Sequence, residues 1–165
     1  MAKIAIVCCA ILLMIAGYFF MKMPSSLQDH GLLPQFELSD SISTRLMQRH
    51  HMPSGKYLLN VWGSWCVACK REHDFLLFLA QQGIPIVGVN LQDNEVSAKQ
   101  WLDNMGNPYQ INLSDPQGVF SKKLAIKGAP ETYFIDTNGR IRYKFIGIVN
   151  ADNWKKLSQV YDTMD

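Results

Sequence analysis

NVWGSWCVACKREH, residues 60–73, decides how this chain is read. Two cysteines, Cys66 and Cys69, stand two residues apart behind an apolar run and two tryptophans. Just upstream, Tyr57–Trp62 (YLLNVW) is short and apolar, as a buried strand requires. From Cys66 to Gln82 the pattern predicts a helix, closed by Gly83. Cys66 therefore falls where a strand turns into a helix. The first turn of a helix has unpaired N–H groups and a partial positive charge, and both favour a thiolate. Lowering a thiol pKa from about 8.5 to about 7 raises the thiolate fraction at neutral pH from about 3% to about 50%. A stable thiolate is also a good leaving group. Cys69, one turn further in, lies on the same helix face and can attack Cys66.

A zinc site would need about four ligands, whereas only His73 lies near the pair and His50-His51 sit in a loop-like stretch. An inert structural disulfide would rarely join cysteines three apart at a helix start. The residues favour a redox dithiol over both, but their spacing does not say whether it oxidises or reduces.

Outward from this stretch, Ile84–Asn90 is a second buried strand. Asp93 and Asn94 can cap a helix that turns Ala98, Trp101, Leu102 and Met105 to one face and ends at Gly106 and Pro108. Ile111–Leu113 is a further strand, Gly118–Leu124 a short helix and Thr132–Ile135 another strand. Asp136-Thr137-Asn138-Gly139 is a turn, after which Ile141, Tyr143 and Phe145 alternate with Arg142 and Lys144 as in a half-exposed strand. Asn150 can cap a last helix with Trp154, Leu157 and Tyr161 inward. Phe36-Glu37-Leu38 makes a short early strand. The order β-α-β-α-β-α-β-β-α implies a parallel core sheet with an antiparallel hairpin at its edge. C-x-x-C beside such βαβ units is a thioredoxin-like signal.

The chain has 165 residues, 48% hydrophobic and 18% charged, enough for one domain with a core of its own. A formal charge of +2 and the lack of a basic run with interleaved aromatics argue against nucleic acid. The four cysteines fall in two pairs, Cys8–Cys9 and Cys66–Cys69, not in the scatter of a disulfide scaffold. From Ile4 to Met21 there is no charged residue. That run suits a short membrane-spanning anchor better than a cleaved signal, because Tyr18, Phe19 and Phe20 stand where a cleavage site would need small residues. Cys8 and Cys9 then read as small apolar residues of that helix. The expected organisation is an anchor over 1–22, a tether over 23–34 and a single domain over 35–165.

LLNVWGSWCVACKREH (58–73), MGNPYQINLSD (105–115) and GAPETYFIDTNGRIRYKFIG (128–147) together resemble the DsbE/CcmG family of thioredoxin-like thiol:disulfide interchange proteins of cytochrome c maturation. The likeness runs from about Leu33 to Trp154. It implies a thioredoxin-like α/β fold, with a central mixed sheet flanked by helices behind the membrane anchor. It implies a protein held in the bacterial inner membrane with its soluble domain in the periplasm. There the family reduces disulfides of apocytochrome c, or of its maturation partners, for haem attachment. Its electrons come from a membrane thiol reductase of the DsbD/CcdA type, and it needs no cofactor beyond the Cys66–Cys69 disulfide and no metal. Pro130 matches the family's cis-proline, which faces the redox pair in the substrate groove, and Glu131 matches an acidic groove residue. Glu72 matches the acid after the start of the redox helix. Asn60 stands where many thioredoxins carry a buried Asp and cannot titrate, which leaves Glu72 as the candidate proton acceptor for Cys69, with a solvated helix carboxylate as the alternative. Trp65 is expected as a groove wall, and Trp62 as groove wall or core. Lys70, Arg71 and His73 read as solvated helix residues. Val67-Ala68 lacks the proline often found between such cysteines, and Gly63-Ser64 replaces a more usual Ala-Ser or Ala-Thr. A general periplasmic reductase of the TlpA/ResA kind and a non-catalytic apocytochrome-binding module are the rival readings.

Overall fold

The computed structural model describes residues 30–164. The anchor expected over Ile4–Met21 lies outside the described residues. Among those described, no helix is long and apolar enough to cross a membrane. In chain order the elements are β1 (Glu37–Asp40), β2 (Leu46–Gln48), β3 (Tyr57–Trp62), α1 (Val67–Gln81), β4 (Ile86–Leu91), α2 (Glu95–Met105), β5 (Ile111–Asp115), α3 (Val119–Lys123), β6 (Glu131–Ile135), β7 (Ile141–Ile146) and α4 (Ala151–Asp162), with one 3-10 turn at Arg49–His51. The strands form a single sheet in the order β2-β1-β5-β4-β3-β6-β7. β3, β4 and β5 run parallel, while β1, β2, β6 and β7 each pair antiparallel to their neighbours.

This is the expected mixed sheet flanked by helices, with two differences. First, β6 is antiparallel to β3 rather than part of a parallel core. The connection from β5, which carries only the five-residue α3, does not return along the sheet, and β6 begins at the end where β5 stops. Second, the early strand has a partner. β1 turns into β2 through Ser41–Arg45, a turn held by Asp40, whose Oδ2 accepts the Ser43 hydroxyl at 2.6 Å and the Ser43 N–H at 3.2 Å. No glycine or proline announces that turn. The segment read as tether is also engaged at its far end. Leu33 is fully buried, and His30 N and Leu33 N donate to the carbonyls of Ile141 and Gly139 at the base of β7.

Strand alternation divides the core. Leu58 and Trp62 of β3 and Phe134 of β6 face α1, α2 and α4, where Cys69, Leu76, Leu79, Ala98, Leu102 and Leu157 meet them. Tyr57, Leu59 and Val61, with Tyr133 and Ile135, face the opposite side and pack on Leu33, Phe36, Phe120 and Leu124. Helix α1 supplies its share through Cys69, Glu72, His73, Leu76 and Leu79, the i, i+3, i+4 spacing of one buried face. Gly88 of β4 lets this side close: a Cβ there would lie within 3.0 Å of Asn112 Oδ1, the Tyr109 ring and Trp62 Nε1. Gly88→Ala is expected to cost about 1–3 kcal/mol by overpacking. A urea titration should show a lower midpoint with an unchanged slope.

Candidate active site

Cys66 is the N-cap of α1, and its Sγ accepts the Cys69 N–H at 3.0 Å. The two sulfurs are joined in a disulfide, with Cα atoms 5.3 Å apart. A hydrogen bond of this kind to the charged form favours a thiolate at a helix start. Both cysteines are mostly covered, but the residues on either side of Cys66 are exposed, Trp65 by 52% and Val67 by 77%. The pair reaches the surface between two apolar side chains.

Glu72 lies one turn beyond Cys69 on the same helix face and is fully buried. Its Oε1 accepts the Asn60 side-chain amide and its Oε2 the Val149 N–H, both at 2.9 Å. Asn60 also donates to Thr132 Oγ1 at 3.1 Å and accepts the Tyr109 hydroxyl at 2.9 Å. One buried polar cluster thus ties α1 to β3, to β6 and to the approaches of β5 and α4. Burial pushes the Glu72 carboxyl up to about 7, against the pull of its bonds from Val149 and Asn60. Burial, and then the Glu72 charge, hold the Tyr109 phenol well above its ordinary range. Glu72 is therefore not a solvated helix carboxylate. It is a group behind the redox pair that titrates near neutrality.

Pro130 is buried and its bond to Ala129 is cis. The β3–β6 register pairs Val61 with Glu131, which sets Pro130 level with Trp62 at the end of β3 leading to Cys66. Glu131 does not sit in an open groove. Alternation turns it to the sheet face opposite α1, where it is 1% exposed. There its carboxylate pairs with Lys144 at 2.8 Å and accepts the Tyr133 hydroxyl at 2.8 Å and the Lys127 N–H at 3.0 Å. It holds the chain that leads to Pro130. His73 departs from expectation as well. It is buried, stands edge-on to Trp101 and donates from Nε2 to the carbonyls of Met105 and Gly106, with Nδ1 lacking a partner among the described residues. Burial holds its pKa below the ordinary value despite those bonds.

The loop before Cys66 is fastened from β4. The Trp65 indole N–H donates to the Leu91 carbonyl at 3.0 Å, and the ring folds over Gly63, where a Cβ would come 2.5 Å from Nε1. The Gly63 that departs from the family pattern is thus what this Trp65 position requires. Asp93 completes the fastening. It accepts the Ser64 backbone N–H, the Ser64 hydroxyl at 2.7 Å, the Asn90 amide at 2.8 Å and the Asn94 N–H at 2.8 Å. Desolvation opposes its charge, but those four bonds prevail and lower its pKa. Trp62 is core, stacked on Tyr109 with its N–H on Asn112.

The redoxin family profile matches residues 28–163. Among curated proteins, the thiol:disulfide interchange protein DsbE of Vibrio cholerae is 42% identical over 80% of this chain and 73% of its own length. The DsbE of Pseudomonas aeruginosa is 37% identical over 87% and 80%. The DsbE of Escherichia coli K12 is 40% identical over 75% and 68%. The chain belongs to the DsbE family of thiol:disulfide interchange proteins. It is a thiol-disulfide oxidoreductase whose redox centre is the Cys66–Cys69 disulfide. In fold it matches the crystal structure of a Chlorobium tepidum protein assigned as a DsbE, with TM-score 0.70 and 24% identity over 82% of this chain and 96% of that one. It also matches a DsbF homologue of Corynebacterium diphtheriae, with TM-score 0.71 and 22% identity over 84% and 91%.

Two residues that hold the site of this DsbE-family chain have roles that local sequence does not announce. Asp93 and Asn94 both read as caps of α2; Asn94 takes that role by accepting the Ser97 N–H at 3.1 Å, which leaves Asp93 for Ser64. Tyr109 lies 49 positions from Asn60, the group it bonds, and no local signal links them. No group of three His, Cys, Asp or Glu side chains among the described residues could hold a metal.

The pH dependence of Glu72 has a definite sign. Its folded pKa of about 7 lies above the ordinary 4.5, so its contribution to stability is greatest below pH 4.5 and declines as pH rises through 7. The full loss is about 3 kcal/mol. In Glu72→Gln this decline should vanish, because the Asn60 amide can turn to suit the new donor. Urea unfolding of the oxidised protein at pH 5 and pH 8 measures it. Equal pH dependence in both proteins would mean that the carboxyl does not titrate there.

Proposed function

We propose that this chain is a membrane-anchored periplasmic reductant of c-type cytochrome biogenesis. On this reading residues 4–21 hold it in the bacterial inner membrane. Its clients are disulfides of apocytochrome c or of thiol proteins that mature it. Its donor is a membrane thiol reductase of the DsbD/CcdA type. The observation that carries the chemistry is the placement of Cys66 at the N-cap of α1, with Cys69 one turn inside and Glu72 behind it. The client assignment rests on the family and on the likeness at residues 105–115 and 128–147.

The steps follow from this placement. The Cys66 thiolate attacks one sulfur of the client disulfide, forming a mixed disulfide and releasing the other client sulfur as a thiolate that takes up a proton. The Cys69 thiol loses its proton towards Glu72, and its thiolate attacks Cys66 Sγ. The second client sulfur leaves as a thiol. The client gains two electrons and two protons, and the Cys66–Cys69 disulfide forms again. The donor then returns the pair to the dithiol.

Cys69→Ala stops the second attack but not the first. It should accumulate mixed disulfides through Cys66, seen as reductant-sensitive high-mass bands, while Cys66→Ser should trap little. Mass spectrometry of the trapped proteins should find apocytochrome c or its maturation factors. A broad set of periplasmic proteins would favour a general reductase, and equal trapping by Cys66→Ser would reverse the roles of the two cysteines. A protein that supports cytochrome maturation with Cys66→Ser would be a binding module instead.

A further inference from the structure

A cleft of about 450 Å³ opens beside Trp65, and its walls also include Gln92, Gln117, Lys122, Ile126 and Lys127. Trp65 is the residue before Cys66, and the cleft runs to Gly128, two residues before Pro130. The charged side chains that line it are both lysines. No aspartate or glutamate lines it. Other lysines of the region are engaged, Lys123 with the Gln35 carbonyl at 2.9 Å and Lys144 with Glu131 at 2.8 Å. The ammonium groups of Lys122 and Lys127 are exposed and make no hydrogen bond or ion pair among the described residues. The carboxylates near the cleft are engaged: Glu131 is buried and paired with Lys144, Asp115 is buried on the N–H and hydroxyl of Ser121, and Asp93, beside Gln92, is held by Ser64, Asn90 and Asn94. The backbone here is unusual too. Of the three non-glycine residues with positive φ among those described, Gln92 (φ 44°) lines the cleft and Ala125 (φ 52°) adjoins its Ile126. Strained backbone of this kind gathers at functional surfaces.

We propose that this cleft selects redox partners that carry an acidic side chain beside the cysteine under attack. An extended partner segment lays apolar surface on Trp65 and Ile126 and sets its carboxylate between Lys122 and Lys127. Partner choice is then electrostatic as well as steric, which affects encounter and register more than tight binding. The inference rests on the proposed attack of Cys66 on a partner disulfide. In that step the Cys66–partner S–S bond forms as the partner's own S–S bond breaks, and Cys69 completes the two-electron transfer.

The test uses the reduced full-length protein and synthetic peptides closed by one disulfide, identical except for Glu, Gln or Lys at each position flanking the cysteines in turn. Stopped-flow tryptophan fluorescence gives the exchange rates. At least one Glu peptide should react about fivefold faster than its Gln counterpart at low salt, the scale of two exposed ion pairs. The advantage should shrink towards onefold at about 0.5 M salt. In the double variant Lys122→Gln/Lys127→Gln the Glu-to-Gln ratio should fall to about one, whereas Lys156→Gln on exposed α4 should keep it. Circular dichroism checks that the variants fold. Exchange with no charge preference, or a preference that survives the double variant, overturns this inference and leaves the proposed function standing. Failure of every peptide to exchange overturns both.

Discussion

The carboxyl of Glu72 sits where water does not reach, and the site is arranged around that constraint. A buried carboxyl needs hydrogen bonds to be tolerated, and Glu72 finds them on Asn60 and on the backbone of Val149. The same bonds dock α1 against β3 and the start of α4. With α1 fixed, Cys66 stands at its N-terminus and Cys69 behind it. The position that gives the helix its anchorage also sets, one turn beyond Cys69, a carboxyl that burial pushes up to about 7.

A second constraint acts from the front. The chain between β3 and α1 is four residues long, Gly63 to Cys66, and each is engaged. Gly63 makes room for the Trp65 ring, Ser64 is held by Asp93, Trp65 is pinned to Leu91, and Cys66 caps the helix. The loop is held from β4 and not by a proline between the cysteines, which this chain lacks. Glu131 does comparable work from the far face, fixing Lys127 and so the approach to Pro130. The acid next to the proline is buried and holds the chain that leads to it.

Much of this was legible in the sequence, because the relevant signals are local. The apolar run YLLNVW, the C-x-x-C at the start of a helix, and Asp136–Gly139 each announce their element within a few residues. The inward and outward sides of β6 were not legible, since the run from Glu131 to Ile135 is buried on both faces and lacks alternation. For the same reason Glu131 could be matched to a groove by likeness but not placed. His73 follows a charged run and reads as solvated, yet a helix face that already buries Cys69 and Leu76 must bury the residue between them. The side-chain partners of Asn60, namely Glu72, Thr132 and Tyr109, come from three separate segments, and only the fold brings them together.

On the proposed function this arrangement makes Cys66–Cys69 a donor of electrons. Equilibrating the protein with glutathione or dithiothreitol at pH 7 and quantifying the free thiols gives its reduction potential directly. The account predicts a reducing value, at or below about −200 mV and nearer the roughly −270 mV of thioredoxin than the range of oxidants. A value near the roughly −120 mV of strong disulfide-forming oxidants would contradict it.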